Sequence, residues 1–89
     1  MNILEKNLVT ALAELAILKK TKNLDIPLEL LQLAAALRQD QQGTLVSALD
    51  NLHNKEKLVE NWEIRGNKIK ITLSSDFPLP NVSEIELKS

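Results

Sequence analysis

Residues 44–73, TLVSALDNLHNKEKLVENWEIRGNKIKITL, combine two hydrophobic periods, and the change between them decides the fold. In the first half, apolar residues recur every three or four positions, which is typical of an amphipathic helix. These residues are Leu45, Ala48, Leu49 and Leu52. In the second half apolar residues alternate with polar ones, as in β-strands, and Gly66-Asn67 separates two such arms. The stretch therefore predicts a helix that leads into a hairpin.

The hairpin can be paired residue by residue around a two-residue turn at Gly66-Asn67. Glycine suits the positive φ at the first central position of a type II′ turn. This register places Glu63 opposite Lys70 on one face, which is a favourable charge pair. It places four apolar residues on the other face: Trp62, Ile64, Ile69 and Ile71. We expect Trp62 to be at least partly buried against the preceding helix.

Composition limits the classes of protein that the chain can belong to. Its 89 residues are 44% hydrophobic and predict one small domain with an aliphatic core. There is no cysteine, which excludes disulfides and thiolate metal sites and suits a reducing compartment. The N-terminus has no basic segment followed by an apolar one, and no apolar run is long enough for a membrane span. We therefore expect a cytoplasmic protein without membrane association.

The charge is nearly balanced, which argues against a generally basic nucleic-acid-binding surface. The formal net charge is −1. Residues 1–73 hold ten basic and nine acidic side chains, whereas residues 74–89 hold Lys88 against Asp76, Glu84 and Glu86. The body is therefore +1 and the C-terminal part −2, so any nucleic-acid site must be local.

A first helix is predicted from Asn2, as the capping residue, to about Lys20. It is apolar around much of its circumference: one stripe runs through Leu4, Leu8, Ala11, Leu15 and Leu18, a second runs through Val9, Ala13 and Ile17, and Leu12 lies between them. A small domain can cover only one side of such a helix. Two interpretations remain: the C-terminal part of the chain covers the second stripe, or the helix forms a homodimer interface. The candidate interface residues are Leu8, Val9, Leu12, Ala13, Leu15 and Ile17.

Residues 21–25 form a short connection that can contribute a strand, and a second helix is predicted from about 26 to 39. Asp25 is its expected capping residue, with Pro27 in the first turn. Its expected core face consists of Leu30, Leu33, Ala34 and Leu37. A polar turn ending at Gly43 then precedes the third helix, at about 44–54. Near the C-terminus, 82–87 is compatible with an edge strand or a frayed tail.

This order of elements resembles the winged helix-turn-helix domain of bacterial MarR-type transcriptional regulators. Leu33-Ala34-Ala35-Ala36-Leu37 is similar to their Leu-Ala-x-x-Leu helix, residues 44–52 to their recognition helix, and Leu58-Val59 to the entry of their wing. The resemblance covers roughly residues 4–73, and the connections from Leu37 to Thr44 and from Leu52 to Leu58 are each one residue longer than usual. It implies an α+β fold: three helices and a C-terminal two- to three-stranded β-wing. The domain would span 1–75, followed at 76–89 by an extended or partly disordered extension.

The resemblance implies that the third helix enters the DNA major groove and that the hairpin contacts the flanking backbone. Hydroxyls and amides on the outward face of that helix can bond base edges, and basic residues can position phosphates. The candidate DNA-binding residues are Arg38, Gln41, Gln42, Thr44, Ser47, Asn51, Arg65 and Lys68. Asp50 lies near this face and, by the resemblance, is expected to hold Arg38 or a helix partner.

No motif for catalysis or for a cofactor is recognisable, so we expect a protein that is not an enzyme and that takes no cofactor or metal. The single histidine, His53, is expected to be a solvated or packing residue. Two functions remain open. The first is a transcriptional regulator, or a small accessory protein of a mobile element, that binds double-stranded DNA as a dimer. The second is a winged-helix module that binds a protein partner and never DNA.

Overall fold

The computed structural model describes residues 1–79, which form three α-helices and a three-stranded antiparallel sheet. In chain order the elements are α1 (Ile3–Lys19), β1 (Asn23–Pro27), α2 (Leu28–Ala34), a 3₁₀ turn (Gln39–Gln41), α3 (Gln42–Asn54), β2 (Val59–Arg65) and β3 (Lys68–Leu73). The predicted α+β class, with a C-terminal hairpin, is confirmed. Residues 82–87, for which the sequence allows an edge strand or a frayed tail, lie outside the described residues.

Helix α1 begins with the capping residue that the sequence indicates. The Asn2 side chain accepts a hydrogen bond from the Glu5 backbone N–H at 2.8 Å, and Glu5 Oε1 accepts one from the Asn2 N–H at 3.1 Å. This reciprocal capping box satisfies two of the free amides at the helix start. The helix ends where Lys20 takes a left-handed conformation with φ 56°.

The sheet has the order β1-β3-β2, so the hairpin pairs through β3 with the short first strand. The predicted hairpin register is confirmed, with Arg65 opposite Lys68, Glu63 opposite Lys70 and Trp62 opposite Ile71. At the turn, Gly66 has φ 60° and no other residue of 62–73 has a positive φ, as a type II′ turn requires. The apolar face of the sheet therefore lies on the helices and the charged face lies outward.

A β-bulge in β2 keeps the apolar residues on one face. Val59 is paired with Leu73 and Asn61 with Thr72, so Glu60 is an extra residue on this strand. Val59 is buried, and Trp62 is half-buried and packs against the core. Val59 and Trp62 are three positions apart, and in a regular strand without a bulge residues at that spacing would point to opposite faces.

Helix α2 differs from the prediction in both its bounds and its core face. Asp25 is not its cap, because this residue lies within β1, and Pro27 immediately precedes the helix without a side-chain cap bond. The buried residues are Leu28, Leu31, Gln32, Ala35 and Leu37. Of the predicted core face only Leu37 is correct, whereas Leu30 and Leu33 are 41% and 68% exposed. The physical reason is a shift of two positions, which rotates a helix face by about 200°.

Two tight contacts hold the ends of α2. Its first amide, that of Leu28, donates a 2.8 Å hydrogen bond to the carbonyl of Asn67 in the hairpin turn. At its end, Ala36 takes a left-handed conformation with φ 61°, and the Leu37 amide bonds the Gln32 carbonyl at 2.7 Å. This closure ends the helix at Ala34, before the predicted 39, and turns Leu37 into the core.

One hydrophobic core joins all of these elements. Side chains of α1, α3 and β3 that are fully buried include Leu8, Leu12, Leu49, Leu52 and Ile69. Phe77, which follows β3, is also buried in this core, so the chain continues to pack against the domain beyond residue 75. The predicted domain boundary there stays a prediction, since residues 80–89 lie outside the described part of the chain.

Candidate nucleic-acid interface

Helix α3 buries its apolar face, as the sequence predicts, and exposes the opposite one. Leu45, Ala48, Leu49 and Leu52 are buried. Thr44 and Ser47 are both exposed. The centre of the outward face is a row formed by Ser47, Asp50 and Asn54, because these residues are three and four positions apart. A carboxylate therefore lies in the middle of the face expected to meet DNA.

The turn before α3 uses one of the predicted DNA-binding glutamines for its own structure. Gln41 Oε1 accepts a 2.9 Å hydrogen bond from the Arg38 amide. The buried Gln32 side chain donates from the other side, at 3.4 Å, to the carbonyls of Arg38 and Gln39. Gln42, which is exposed, becomes the first residue of α3. Of the two candidate glutamines, Gln42 has its side chain free of hydrogen bonds within residues 1–79.

Asn51 also makes an internal contact. Its Nδ2 donates a 2.8 Å hydrogen bond to Oε2 of Glu5 on α1. This bond, followed by the one from the Asn2 backbone, lowers the pKa of Glu5 below its ordinary value. Asn51 therefore lies at the α1 side of the outward face and links the two helices, with one of its two amide hydrogens used in that link.

Each of the three basic residues predicted to position DNA lies beside a carboxylate. Arg38 Nε is 3.2 Å from Asp40 Oδ1, Arg65 Nε is 2.7 Å from Glu63 Oε2, and Lys68 Nζ is 3.8 Å from Asp25 Oδ1. The expected partner of Arg38, Asp50, is not the one observed. All three pairs are at least half exposed, so each contributes little stability and can be exchanged for a phosphate at small cost.

These pairs reduce the positive potential of the surface, and two of them carry a signal in the sequence. Glu63 and Arg65 are two positions apart in a strand, and side chains at that spacing share one face. Asp40 follows Arg38 by two positions across the 3₁₀ turn. The contact between Lys68 and Asp25 joins residues of β3 and β1 that are distant in the sequence, and no local pattern indicates it.

The candidate dimer residues separate into two groups. Leu8, Leu12 and Leu15 lie in the core of the domain, so they have almost no surface to give to a second molecule. These leucines pack inward against the domain's own core, and the expected homodimer itself stays a prediction. Val9, Ala13 and Ile17 instead line a shallow cavity of about 420 Å³, whose other wall includes Pro78 and Leu79.

The described residues offer no metal-binding cluster and no membrane-spanning helix, and the single histidine makes an internal contact. His53 is half-buried and its Nδ1 lies 2.9 Å from the Val59 carbonyl, which is a packing role. Within residues 1–79, no group of three or more His, Cys, Asp or Glu side chains is arranged to hold a metal ion. No helix in this part of the chain is both long enough and apolar enough to cross a bilayer.

Comparisons of the chain with protein-family models, with curated proteins and with solved structures give no match.

Proposed function

We propose that this domain is a winged helix-turn-helix module that binds double-stranded DNA and serves as a transcriptional regulator. The observation that carries the proposal is the outward face of α3. The apolar side of α3 is buried in the core, and the first two turns of this helix expose Gln42, Thr44 and Ser47. Amide and hydroxyl groups of this kind can bond base edges in the major groove.

The order of elements supports the same proposal. α2 and α3 are joined by a short turn, and α3 leads directly into the β2–β3 hairpin. In this arrangement α3 would lie in the major groove while Arg65 and Lys68, next to the hairpin turn, contact the neighbouring phosphates. Arg38, just before the 3₁₀ turn, would contact a phosphate near the start of α3.

The carboxylates on this surface weaken the proposed binding. Asp40 and Glu63 compete with phosphate for Arg38 and Arg65, and Asp50 repels phosphate directly. Neutralising Asp50 should therefore strengthen binding to any duplex, which is the opposite of what substitution in a binding site usually does.

The test is a fluorescence-anisotropy titration of a labelled random-sequence duplex at low salt. We expect wild type to bind measurably and Asp50→Asn to bind about three- to tenfold more tightly. In competition with unlabelled duplexes of defined sequence, Ser47→Ala should change the preference among them. Asp76→Asn, which removes the same charge from the turn after β3, is the matched control and should change little. Wild-type and Asp50→Asn proteins that both fail to bind at low salt would contradict the proposal.

A second candidate is the winged-helix module that binds a protein partner. The observation that favours it is the exposed apolar side of α2, where Leu30 and Leu33 are 41% and 68% exposed. Exposed leucines that adjoin on one helix face are typical of protein interfaces. This alternative predicts no affinity for duplex at any salt concentration and indifference to both Asp50→Asn and Ser47→Ala.

A further inference from the structure

The outer face of α1 carries exposed apolar residues at both of its ends. Ile3 is 78% exposed and Leu18 is 76% exposed, although both are large aliphatic residues in a regular helix. Ile3, Thr10 and Ile17 recur at intervals of seven residues, which places them along one line of the helix. This line is turned away from the core that contains Leu8 and Leu12. The result is a stripe with aliphatic ends and a small residue at its centre.

The centre of the stripe allows another helix to approach closely. Thr10 Oγ1 donates a 3.0 Å hydrogen bond to the Lys6 carbonyl of the preceding turn. Its hydroxyl therefore has a partner within the helix, and its methyl group is free to pack. Ala13, beside it, is also small and lines the shallow cavity together with Ile17 and Leu79.

The charged residues beside the stripe can pair with those of a second copy of the same helix. Lys6 and Glu14 are both exposed, and neither forms an ion pair within residues 1–79. They lie eight residues apart, about 12 Å along the helix, which is too far to pair with each other. A second α1 placed antiparallel, with a twofold axis at Thr10, brings Lys6 of each copy opposite Glu14 of the other.

The same axis matches the apolar ends. It places Ile3 of one copy beside Ile17 and Leu18 of the other, so both exposed aliphatic ends of the stripe are covered. Ile3 of the second copy then faces the cavity lined by Ala13, Ile17 and Leu79. A twofold axis gives every such contact twice, which is how the common symmetric dimers form.

We propose that the outer face of α1, formed by Ile3, Lys6, Thr10, Glu14 and Ile17, binds a second copy of this chain in an antiparallel helix pair. This interface does not use Leu8, Leu12 or Leu15, because those side chains are buried in the domain's own core. The helix has 17 residues and is about 25 Å long, so the contact is small. We expect a dissociation constant in about the micromolar range. This inference goes beyond DNA binding and does not depend on it.

The experiment is sedimentation equilibrium without DNA, over a concentration range spanning about 5 to 500 μM. We expect a monomer–dimer equilibrium for wild type. Lys6→Glu and Glu14→Lys should each weaken the dimer about five- to tenfold, because each converts two symmetric attractions into repulsions. The double variant Lys6→Glu/Glu14→Lys has the wild-type net charge and should restore the association.

Lys57→Glu is the matched control for the charge change, since Lys57 is exposed in the loop before β2. A second variant, Ile3→Ala, should weaken the dimer without changing the circular dichroism spectrum of the monomer. A monomer throughout the concentration range would overturn the proposal, and residues 80–89 or another protein would become the candidates to cover this face. A dimer that tolerates both single reversals, or one that the double variant fails to restore, would also overturn it.

Discussion

The side-chain amide of Asn51 on α3 donates a 2.8 Å hydrogen bond to the carboxylate of Glu5 on α1. The other oxygen of that carboxylate closes the capping box with the Asn2 amide at 3.1 Å. Glu5 is buried among these groups. One carboxylate therefore fixes both the start of α1 and the position of the helix proposed to contact DNA.

Glu5 should make the stability of the domain depend on pH. The hydrogen bond from Asn51, and then that from Asn2, lowers the pKa of Glu5 below its ordinary value of 4.5. Because the folded-state pKa is the lower one, the stabilisation is complete above the unfolded value and is lost as pH falls through the folded value. We expect Glu5→Gln to lower the thermal midpoint at neutral pH and to flatten the loss of stability on acidification.

The measurement is thermal unfolding followed by circular dichroism between about pH 7 and pH 3. Glu29→Gln is the matched control, because Glu29 is exposed, lies likewise in the first turn of a helix and makes no side-chain hydrogen bond in the described residues. If Glu5→Gln and Glu29→Gln follow the same pH profile, the contact between Glu5 and Asn51 contributes nothing to stability.

Two substitutions at left-handed positions should have opposite effects. Gly66 has φ 60° with open space around it, so Gly66→Ala introduces backbone strain without a steric clash and should cost about 1 kcal/mol. Ala36 has φ 61° at the end of α2, and Ala36→Gly should relieve similar strain and stabilise by about 0.5–1 kcal/mol. Urea unfolding measures both, and a stabilising Gly66→Ala would show that the hairpin does not use this turn.

Trp62 lies on the outer strand of the sheet, opposite Ile71, and is half-buried against the core. Trp62→Ala should cost about 2–4 kcal/mol, because the indole loses part of its burial and leaves a gap. Glu60→Ala, at the exposed bulge on the same strand, should change the free energy of unfolding by less than about 0.5 kcal/mol. Equal midpoints for the two variants in urea would mean that Trp62 contributes no packing.

The proposed phosphate contacts determine the salt dependence of DNA binding. Each neutralised phosphate contributes about −0.9 to the slope of log K against log salt, so about two to four contacts give roughly −2 to −4 per protomer. Arg65→Ala and Lys68→Ala should each remove one phosphate contact and so reduce the magnitude of the slope by about 0.9. Each should weaken binding to all DNA sequences alike. Lys19→Ala, at the end of α1, is the control, and an unchanged slope in the two hairpin variants would exclude that contact.

The sequence predicts the hairpin and α3 well because their determinants are local. A glycine turn, one opposite-charge pair and four alternating apolar residues are compatible with a single register. On α3, one apolar stripe is available to the core, and that is the stripe buried.

Helix α2 could not be placed in the same way. The sets Leu28, Leu31, Gln32 and Ala35, and Leu30, Leu33, Ala34 and Leu37, have the same helical spacing, so periodicity cannot choose between them. The phase is set by the pairing of Pro27 with Lys68, more than 40 residues away. The hydrogen bond of Asn51 could not be predicted for a similar reason, since its partner Glu5 is 46 residues away in the sequence.

The hydrogen bond between the Leu28 amide and the Asn67 carbonyl has a consequence for motion in this domain. The tip of the hairpin is the acceptor for the first amide of α2, so the hairpin cannot swing outward unless that bond breaks. Hydrogen exchange with solvent at the Leu28 amide should therefore report the opening of the hairpin, although Leu28 lies about 40 residues before the hairpin turn. If α3 binds a duplex as proposed, that duplex meets a hairpin whose tip is bonded to α2, and we expect the bending that brings its phosphates to Arg65 and Lys68 to occur in the nucleic acid.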